Sequence, residues 1–427
     1  MVEGQSQGHV IRTCFIGMAL GRRLGLSDDR RSALFYALLL KDAGCSSNAS
    51  KMTALFDADD FEAKRAVKTV DWSRLPQALL YTARTVSPDR NIWAKARQFL
   101  HLGLQGPRAA RELIQIRCER GAEISRLIGF PEETAQAIRN LDEHWDGAGH
   151  PDGLKGEEIP LLARICGLAQ TAEVFYTSYG PERTVEVVKE RRRTWFDPGL
   201  ADIFLAEARE GSMWEGLSRP ELPQEISQLE PENQTLTATT ERLDLTARAF
   251  ARIIDAKSPF TYEHSERVAE TASMVSEHMG LPADAVADQV RAGLLHDIGK
   301  LGVSNRILDK PGRLTDEEFA KVKRHPVLTR ETLSRIAPFE NILDRASNHH
   351  EKLDGSGYPL GLTGEDLDLP TRILTVADIF DALASDRPYR PGMPMEKVLD
   401  ILNEESGEKL CPESVAAVNE LVEKGAL

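Results

Sequence analysis

The chain repeats itself, and that restricts it to two copies of one architecture. Shifted by 255 positions, His9 and Gly25-Leu26 fall on His264 and Gly280-Leu281, and Lys41-Asp42 falls on His296-Asp297. Shifted by 208, Asp146-Gly147-Ala148-Gly149-His150-Pro151 falls on Asp354-Gly355-Ser356-Gly357-Tyr358-Pro359. Gly153 and Gly156-Glu157 continue that match onto Gly361 and Gly364-Glu365. The offsets differ by 47, so the first copy carries an insertion of that order between about Met52 and Arg117. Self-similarity on this scale marks a duplicated domain, and 427 residues is the length of two or three ordinary domains.

Each copy reads as helical. Leu245, Ala249 and Ile253, with Phe250 and Ile254, recur at helical spacing. The same period runs through Val286–Leu295, Phe319–Leu333, Ile342–His349 and Ile373–Leu383, while alternating runs are rare. The expected fold class is all-α, as two tandem helical domains. Between Trp214 and Thr240, the stretches Ser218-Arg219-Pro220-Glu221-Leu222-Pro223 and Glu230-Pro231-Glu232-Asn233 break helix. The expected domains are therefore 1–213 and 241–427, with 214–240 as linker. A formal net charge of −14 argues against a surface that coats a nucleic acid polymer, since such binding rests on Lys and Arg. Five scattered cysteines without a CxxC pair suit a reducing compartment with no disulfide framework. No apolar run approaches the ~20 residues of a membrane span, so the expected location is the cytoplasm.

The densest chemistry lies in the second copy, in Gly293-Leu294-Leu295-His296-Asp297-Ile298-Gly299-Lys300. Neighbouring helical residues point about 100° apart, so His296 and Asp297 can bracket a metal lying off the helix side. Around them in sequence stand His264, His325, His349, His350 and Asp378; with His296, the histidines among them make five of the ten in the chain. Imidazole and carboxylate are the ligands of divalent transition ions, and nothing resembles the thiolate cage of a structural zinc. The first copy keeps His9 and Asp42. It has Lys41 for His296, Cys118 at or near the place of His325, Leu141-Asp142 for His349-His350, and Gln170 for Asp378. An ammonium competes with a cation, and Leu141 offers no donor atom. The first copy is expected to bind no metal pair. Its expected role is a structural partner of the second copy, or a sensor that binds a nucleotide without cleaving it.

His264, His296-Asp297-Ile298-Gly299-Lys300, His325, His349-His350-Glu351, Asp354-Gly355-Ser356-Gly357-Tyr358-Pro359 and Asp378 together resemble the motif set of the HD-GYP phosphodiesterases. That family is an all-helical branch of the HD metal-dependent phosphohydrolases, and its members hydrolyse cyclic di-GMP. The resemblance covers about residues 240–427, and the first copy reads as a degenerate HD-GYP-like domain. It implies two divalent ions bridged by Asp297, iron or manganese first, with nickel, cobalt and zinc as alternatives. One ion would take His264, His296, Asp297 and Asp378; the other, Asp297, His325, His349 and His350. A hydroxide bridging the ions would attack phosphorus. Lys300, Arg387 and Arg390 are implied phosphate contacts, and Asp354, Gly355, Tyr358 and Pro359 are implied to shape the pocket or to meet a partner. Some members carry a Glu four residues before the first His and bind a third metal; Phe260 stands there in this chain, so two metals are expected. The expected reaction is hydrolysis of cyclic di-GMP to pGpG or GMP. Hybrid cyclic GMP-AMP offers the same phosphodiester and is the alternative substrate. A receptor that binds without turnover is the alternative from another class, and a homodimer or a signalling protein is the further partner to consider.

Overall fold

In a computed structural model of the chain, residues 4–67, 70, 81–82, 85–86, 91–231, 239–259, 263–386 and 391–427 are described. Among them there are helices, turns and three isolated bridges but no strand. The chain divides into two compact units, the first ending at Thr239 and the second beginning at Thr240. Among the described residues no helix is long and apolar enough to cross a membrane.

The first unit is built on α1 (His9–Arg23), α2 (Asp28–Leu40), α3 (Ile92–Ile128), α4 (Glu132–Arg139) and α5 (Leu161–Tyr179). Helix α1 packs between α2 and α5, burying Ile16, Leu20, Leu34, Leu38, Leu162 and Ile165. The inserted stretch forms the short helices Ala49–Phe56 and Asp60–Val67. It gathers a small core of its own around Met52, Phe56, Ala63, Tyr81 and Leu113. The segment expected to be linker is partly packed. Leu217, Leu222 and Ile226 join the first unit's core, because short helical turns survive between the prolines and bring their apolar residues onto it.

The second unit repeats the order: α6 (Thr240–Asp255), α7 (His264–His278), α8 (Ala283–Leu295), α9 (His325–Leu333), α10 (Leu343–Ser347), α11 (Leu369–Ala384), α12 (Met395–Glu405) and α13 (Pro412–Glu423). Helix α7 lies against both α8 and α11. Leu294, Leu295, Ile298, Leu333, Phe339, Ile373 and Leu374 close the core beneath, each contributing about 1.5–3 kcal/mol by burial. Helix α11 starts where Asp368 accepts the Thr371 N–H at 2.9 Å, an N-cap that spares one orphan donor. The apolar run Phe319–Leu333, expected as one helix, breaks in two. Pro326, in the first turn of α9, lacks the N–H that would carry the helix Asp316–Val322 onward. The break puts His325 at the start of a new helix.

Beyond α11 the offset between the copies grows. Leu161 and Leu369 open equivalent helices 208 apart, whereas Pro181 and Met395 open the next pair 214 apart. The second unit therefore holds six extra residues between α11 and α12. That stretch carries Arg387 and Arg390, and both arginines lie outside the described residues.

Candidate metal centre

The centre forms where the end of α8 meets the start of α9. After Leu295 the chain tightens into a 3₁₀ turn at Ile298–Gly302. A Cβ on Gly299 would lie 1.9 Å from the His325 carbonyl oxygen, so only glycine lets the turn sit against α9. Gly44 makes the same approach to Arg117 O in the first unit, also at 1.9 Å. Thr329 fastens the contact: its hydroxyl donates to His296 O at 2.8 Å and accepts the Gly299 N–H at 3.1 Å. His325 is thereby fixed beside His296 and Asp297.

The histidines are oriented by their outer nitrogens. Nδ1 of His296, His325 and His349 donates to the carbonyls of Gly293, Val322 and Ala346 at 2.6, 2.8 and 2.8 Å. Each partner lies three residues back, and each bond leaves Nε2 free to face inward. His264 uses a carboxylate instead, donating from Nδ1 to Asp381 at 2.6 Å. Asp381 in turn accepts from Arg267 Nε at 2.6 Å and Ser385 Oγ at 2.7 Å.

Asp297 stands between the two halves of the ligand set. Its Oδ2 is 3.4 Å from His296 Nε2 and 3.7 Å from His264 Nε2; its Oδ1 is 3.3 Å from His325 Nε2 and 3.9 Å from His349 Nε2. Asp378 completes the His264 side, with Oδ1 3.3 Å from His264 Nε2, and reaches His350 with Oδ2 at 3.7 Å. His264, His296 and Asp378 form one group whose donor atoms could hold an ion; His325, His349 and His350 form another; His296, Asp297 and His349 join them. All seven expected ligands thus come together from α7, α9, α11 and the turns that follow α8 and α10.

The electrostatics fit a cation. His296 Nε2 and Asp297 Oδ1 are buried without a hydrogen-bond partner, an arrangement that costs about 1–3 kcal/mol per atom and that an ion would relieve. Burial pushes His325 down to about 3, His350 to about 4, and His349 well below the usual range, so all three are neutral donors at pH 7. Burial would raise Asp297 and Asp378, but their partners outweigh it. The Lys300 ammonium is the first of the groups that hold Asp297 low, and a hydrogen bond from His264 is the first of those that hold Asp378 low. Burial would likewise lower His264, yet Asp378 and Asp381 raise it to about 9. The set fits divalent transition ions.

The remaining candidates are placed as follows. Lys300 Nζ donates to Asp297 Oδ2 at the edge of the cluster. The Tyr358 ring lies 4.7 Å from that of His350, tilted by 34°. Asp354 turns inward on its own loop, its Oδ1 accepting from Ser356 N at 2.9 Å and Oγ at 2.6 Å. Gly355 has φ of 74°, and Pro359 follows Tyr358 in the loop. Glu351 buttresses that loop by accepting the N–H groups of Leu360 and Leu362 at 2.7 and 3.0 Å. Phe260 lies outside the described residues, as do Arg387 and Arg390.

Sequence reasoning missed Asp381, Arg267 and Thr329. For the first two a signal was present. Arg12 and Glu173 hold the equivalent positions at the two offsets, and there Glu173 accepts from His9 Nδ1 and from Arg12 Nε. The rest of the first unit's pocket has changed. The Lys41 ammonium donates to Asp42 and lies 2.9 Å from His9 Nε2, Arg117 pairs with Asp142, and Cys118 Sγ sits 3.6 Å from Asp142. Among the described residues, every candidate metal group belongs to the second unit.

Comparison with known proteins bears on both units. The HD domain family profile matches residues 107–200 and 248–413. A 3'3'-cGAMP-specific phosphodiesterase of Vibrio cholerae (phosphodiesterase 3) is 42% identical over 98% of this chain and 91% of its own length. The cyclic di-GMP phosphodiesterase response regulator RpfG of Xanthomonas campestris is 38% identical over 43% of this chain and 49% of its own. The crystal structure of a cyclic GMP-AMP-specific phosphodiesterase of V. cholerae superposes with a TM-score of 0.63 at 36% identity, covering 99% of this chain and 94% of that one. With one profile present in both units and a relative matched almost end to end, the chain belongs to the HD domain family, in its HD-GYP branch.

Proposed function

We propose that this protein is a metal-dependent cyclic dinucleotide phosphodiesterase of the cytoplasm whose preferred substrate is 3'3'-cyclic GMP-AMP. The second unit does the chemistry. What carries the reading is Asp297, which turns one oxygen to each half of a seven-residue ligand set. His264, His296 and Asp378 would hold one ion with Oδ2, and His325, His349 and His350 a second with Oδ1. Two such ions lower the pKa of bound water and neutralise charge developing on phosphorus; iron or manganese suits this donor set.

The chain's own residues do the rest. Asp297 and Asp378 contribute only two negative charges, so a site holding two divalent ions keeps the positive excess that a phosphodiester needs. Asp381, Gly293, Val322 and Ala346 hold the imidazole tautomers, and Thr329 holds α9 in register. Lys300 is tethered at the rim by its pairing with Asp297, where a phosphate oxygen would meet its ammonium. Arg387 and Arg390 would add forked donors.

Support for cyclic GMP-AMP is that the relative named for it aligns through the first unit as well as the second. Cyclic di-GMP is the second reading, because relatives named for it match shorter stretches of the chain, one of them 43% identical over 134 residues. The test is turnover by protein loaded anaerobically with iron or manganese. Both dinucleotides are offered at equal concentration and the linear products separated by chromatography. A higher kcat/KM for cyclic GMP-AMP is expected; a higher value for cyclic di-GMP reverses the order. No turnover of either overturns the reading.

A further inference from the structure

An exposed aromatic group beside the metal centre has no part in the chemistry above. Phe319, on the helix Asp316–Val322, is 43% exposed, an unusual setting for a phenyl ring. It is not an isolated surface residue. Its ring meets Tyr358 edge-on at 6.5 Å and 75°, and Tyr358 lies against the ligand His350 at 4.7 Å. Lys323, one turn after Phe319, carries its ammonium 4.8 Å from the Phe319 ring centre and 5.2 Å from that of Tyr358. The sequence from metal ligand to solvent is thus His350, Tyr358, Phe319, with one cation over both outer rings.

We propose that Phe319, with Tyr358 and Lys323, forms the guanine subsite of the active site; this rests on the cyclic dinucleotide reading given above. A nucleotide held by its phosphate at the metal ligands carries its base one sugar's breadth away, and this ring pair begins at Tyr358, 4.7 Å from the ligand His350, and runs outward to Phe319. Aromatic faces bind bases by stacking. The Lys323 ammonium adds donors that match the O6 and N7 acceptors of guanine, whereas adenine presents an amino donor at the first of those places. The degenerate unit points the same way. At the 208 offset Phe319 becomes Arg111, Lys323 becomes Gln115 and Tyr358 becomes His150. Arg111 there is bound to the Pro151 carbonyl at 3.0 Å. The copy that lost the metal ligands lost this ring pair too.

The test compares Phe319→Ala, Phe319→Trp and Lys323→Met with the parent protein, all loaded with manganese. Substrates are cyclic di-GMP, cyclic GMP-AMP, cyclic di-AMP and a small chromogenic phosphodiester without a nucleobase. Phe319→Ala is expected to raise KM for the guanine-bearing dinucleotides about tenfold, with kcat and metal content held, and Phe319→Trp to restore it. Lys323→Met is expected to cost about tenfold on those two and to leave cyclic di-AMP and the small diester unchanged. Equal losses on all four substrates, or an unchanged KM in Phe319→Ala, would overturn the subsite. The latter result would leave the rings to a protein partner. Failure of the parent protein to cleave any cyclic dinucleotide would instead overturn the functional reading on which the subsite rests.

Discussion

Asp381 accepts the Nδ1 hydrogen of His264 at 2.6 Å, and the same bond joins His9 to Glu173 in the unit that has lost its metal ligands. An acid that outlasts the ligands it serves has a role in holding α7 on α11 as well as in tuning a histidine. In the second unit it does both, because His264 Nε2 faces Asp378 and Asp297. Asp381→Asn should keep the contact but weaken the hold on the tautomer. The expected outcome is a ten- to hundredfold loss of metal affinity, roughly the usual effect of removing such an outer partner, with helix content unchanged. Titration of the metal-free protein with Mn²⁺, alongside circular dichroism, measures both. Unchanged affinity would mean that Asp381 serves packing alone.

The two-faced placement of Asp297 leads to a sharper expectation. If each oxygen serves one ion, Asp297→Ala should strip most of both, whereas His325→Ala should chiefly weaken the half on the Oδ1 side. Metal analysis of the purified variants decides it. Full retention of one equivalent in Asp297→Ala would show that the carboxylate is not shared.

Much of this site was legible before any coordinates. Histidines are few, ten in the chain, and their order together with Asp297 and Asp378 marked all seven candidate ligands. The repeat located the worn copy, since Lys41 and Leu141 replace donors by groups that cannot ligate. Other features depended on packing that spacing does not encode. Thr329 matters because Gly299 permits a contact too close for any side chain, and Phe319 looks in sequence like one more apolar position of a helix. Helical period misled at Phe319–Leu333, where a missing amide hydrogen at Pro326 outweighed the apolar pattern. The linker was overdrawn for a related reason. Prolines mark where a helix stops, but they do not prevent Leu222 and Ile226 from burying.

Asp255 predicts how the second unit responds to pH. Burial pushes its carboxyl up to about 7, against hydrogen bonds from Ser265 Oγ at 2.7 Å and Ser265 N at 3.2 Å. An unfolded aspartate titrates near ~3.9, so the folded state favours the proton. The sign follows: this stabilisation is complete below about pH 4 and is lost as pH rises through about 7. Asp255→Asn keeps an acceptor for Ser265 and removes the titration. Its urea midpoint should fall less between pH 5 and pH 8 than that of the parent protein. A steeper fall in the variant would contradict the assignment.

Lys41 provides the test of the first unit. Its side chain is wholly enclosed, its ammonium is bonded to Asp42, and it lies 2.9 Å from His9 Nε2. In the repeat it replaces His296, so a cation belonging to the chain lies among His9 and Asp42, the ligand positions this copy retains. Removing it leaves Asp42 facing an apolar side chain, and breaking a buried pair in this way costs on the order of 3 kcal/mol. Lys41→Met should therefore lower the first unit's unfolding transition while metal content stays the same, since every candidate metal group among the described residues belongs to the second unit. Lys41→His should not create a second active site, because Arg117, which the structure places at the position of His325 one residue before the expected Cys118, and Leu141 and Gln170, at those of His349 and Asp378, still fail to complete a ligand set. Metal analysis of Lys41→His, with hydrolysis measured in an Asp297→Ala background to silence the second unit, separates these outcomes. Extra metal and turnover there would show that the first unit is one residue from activity. Neither should be found, because a partial ligand set cannot hold two ions.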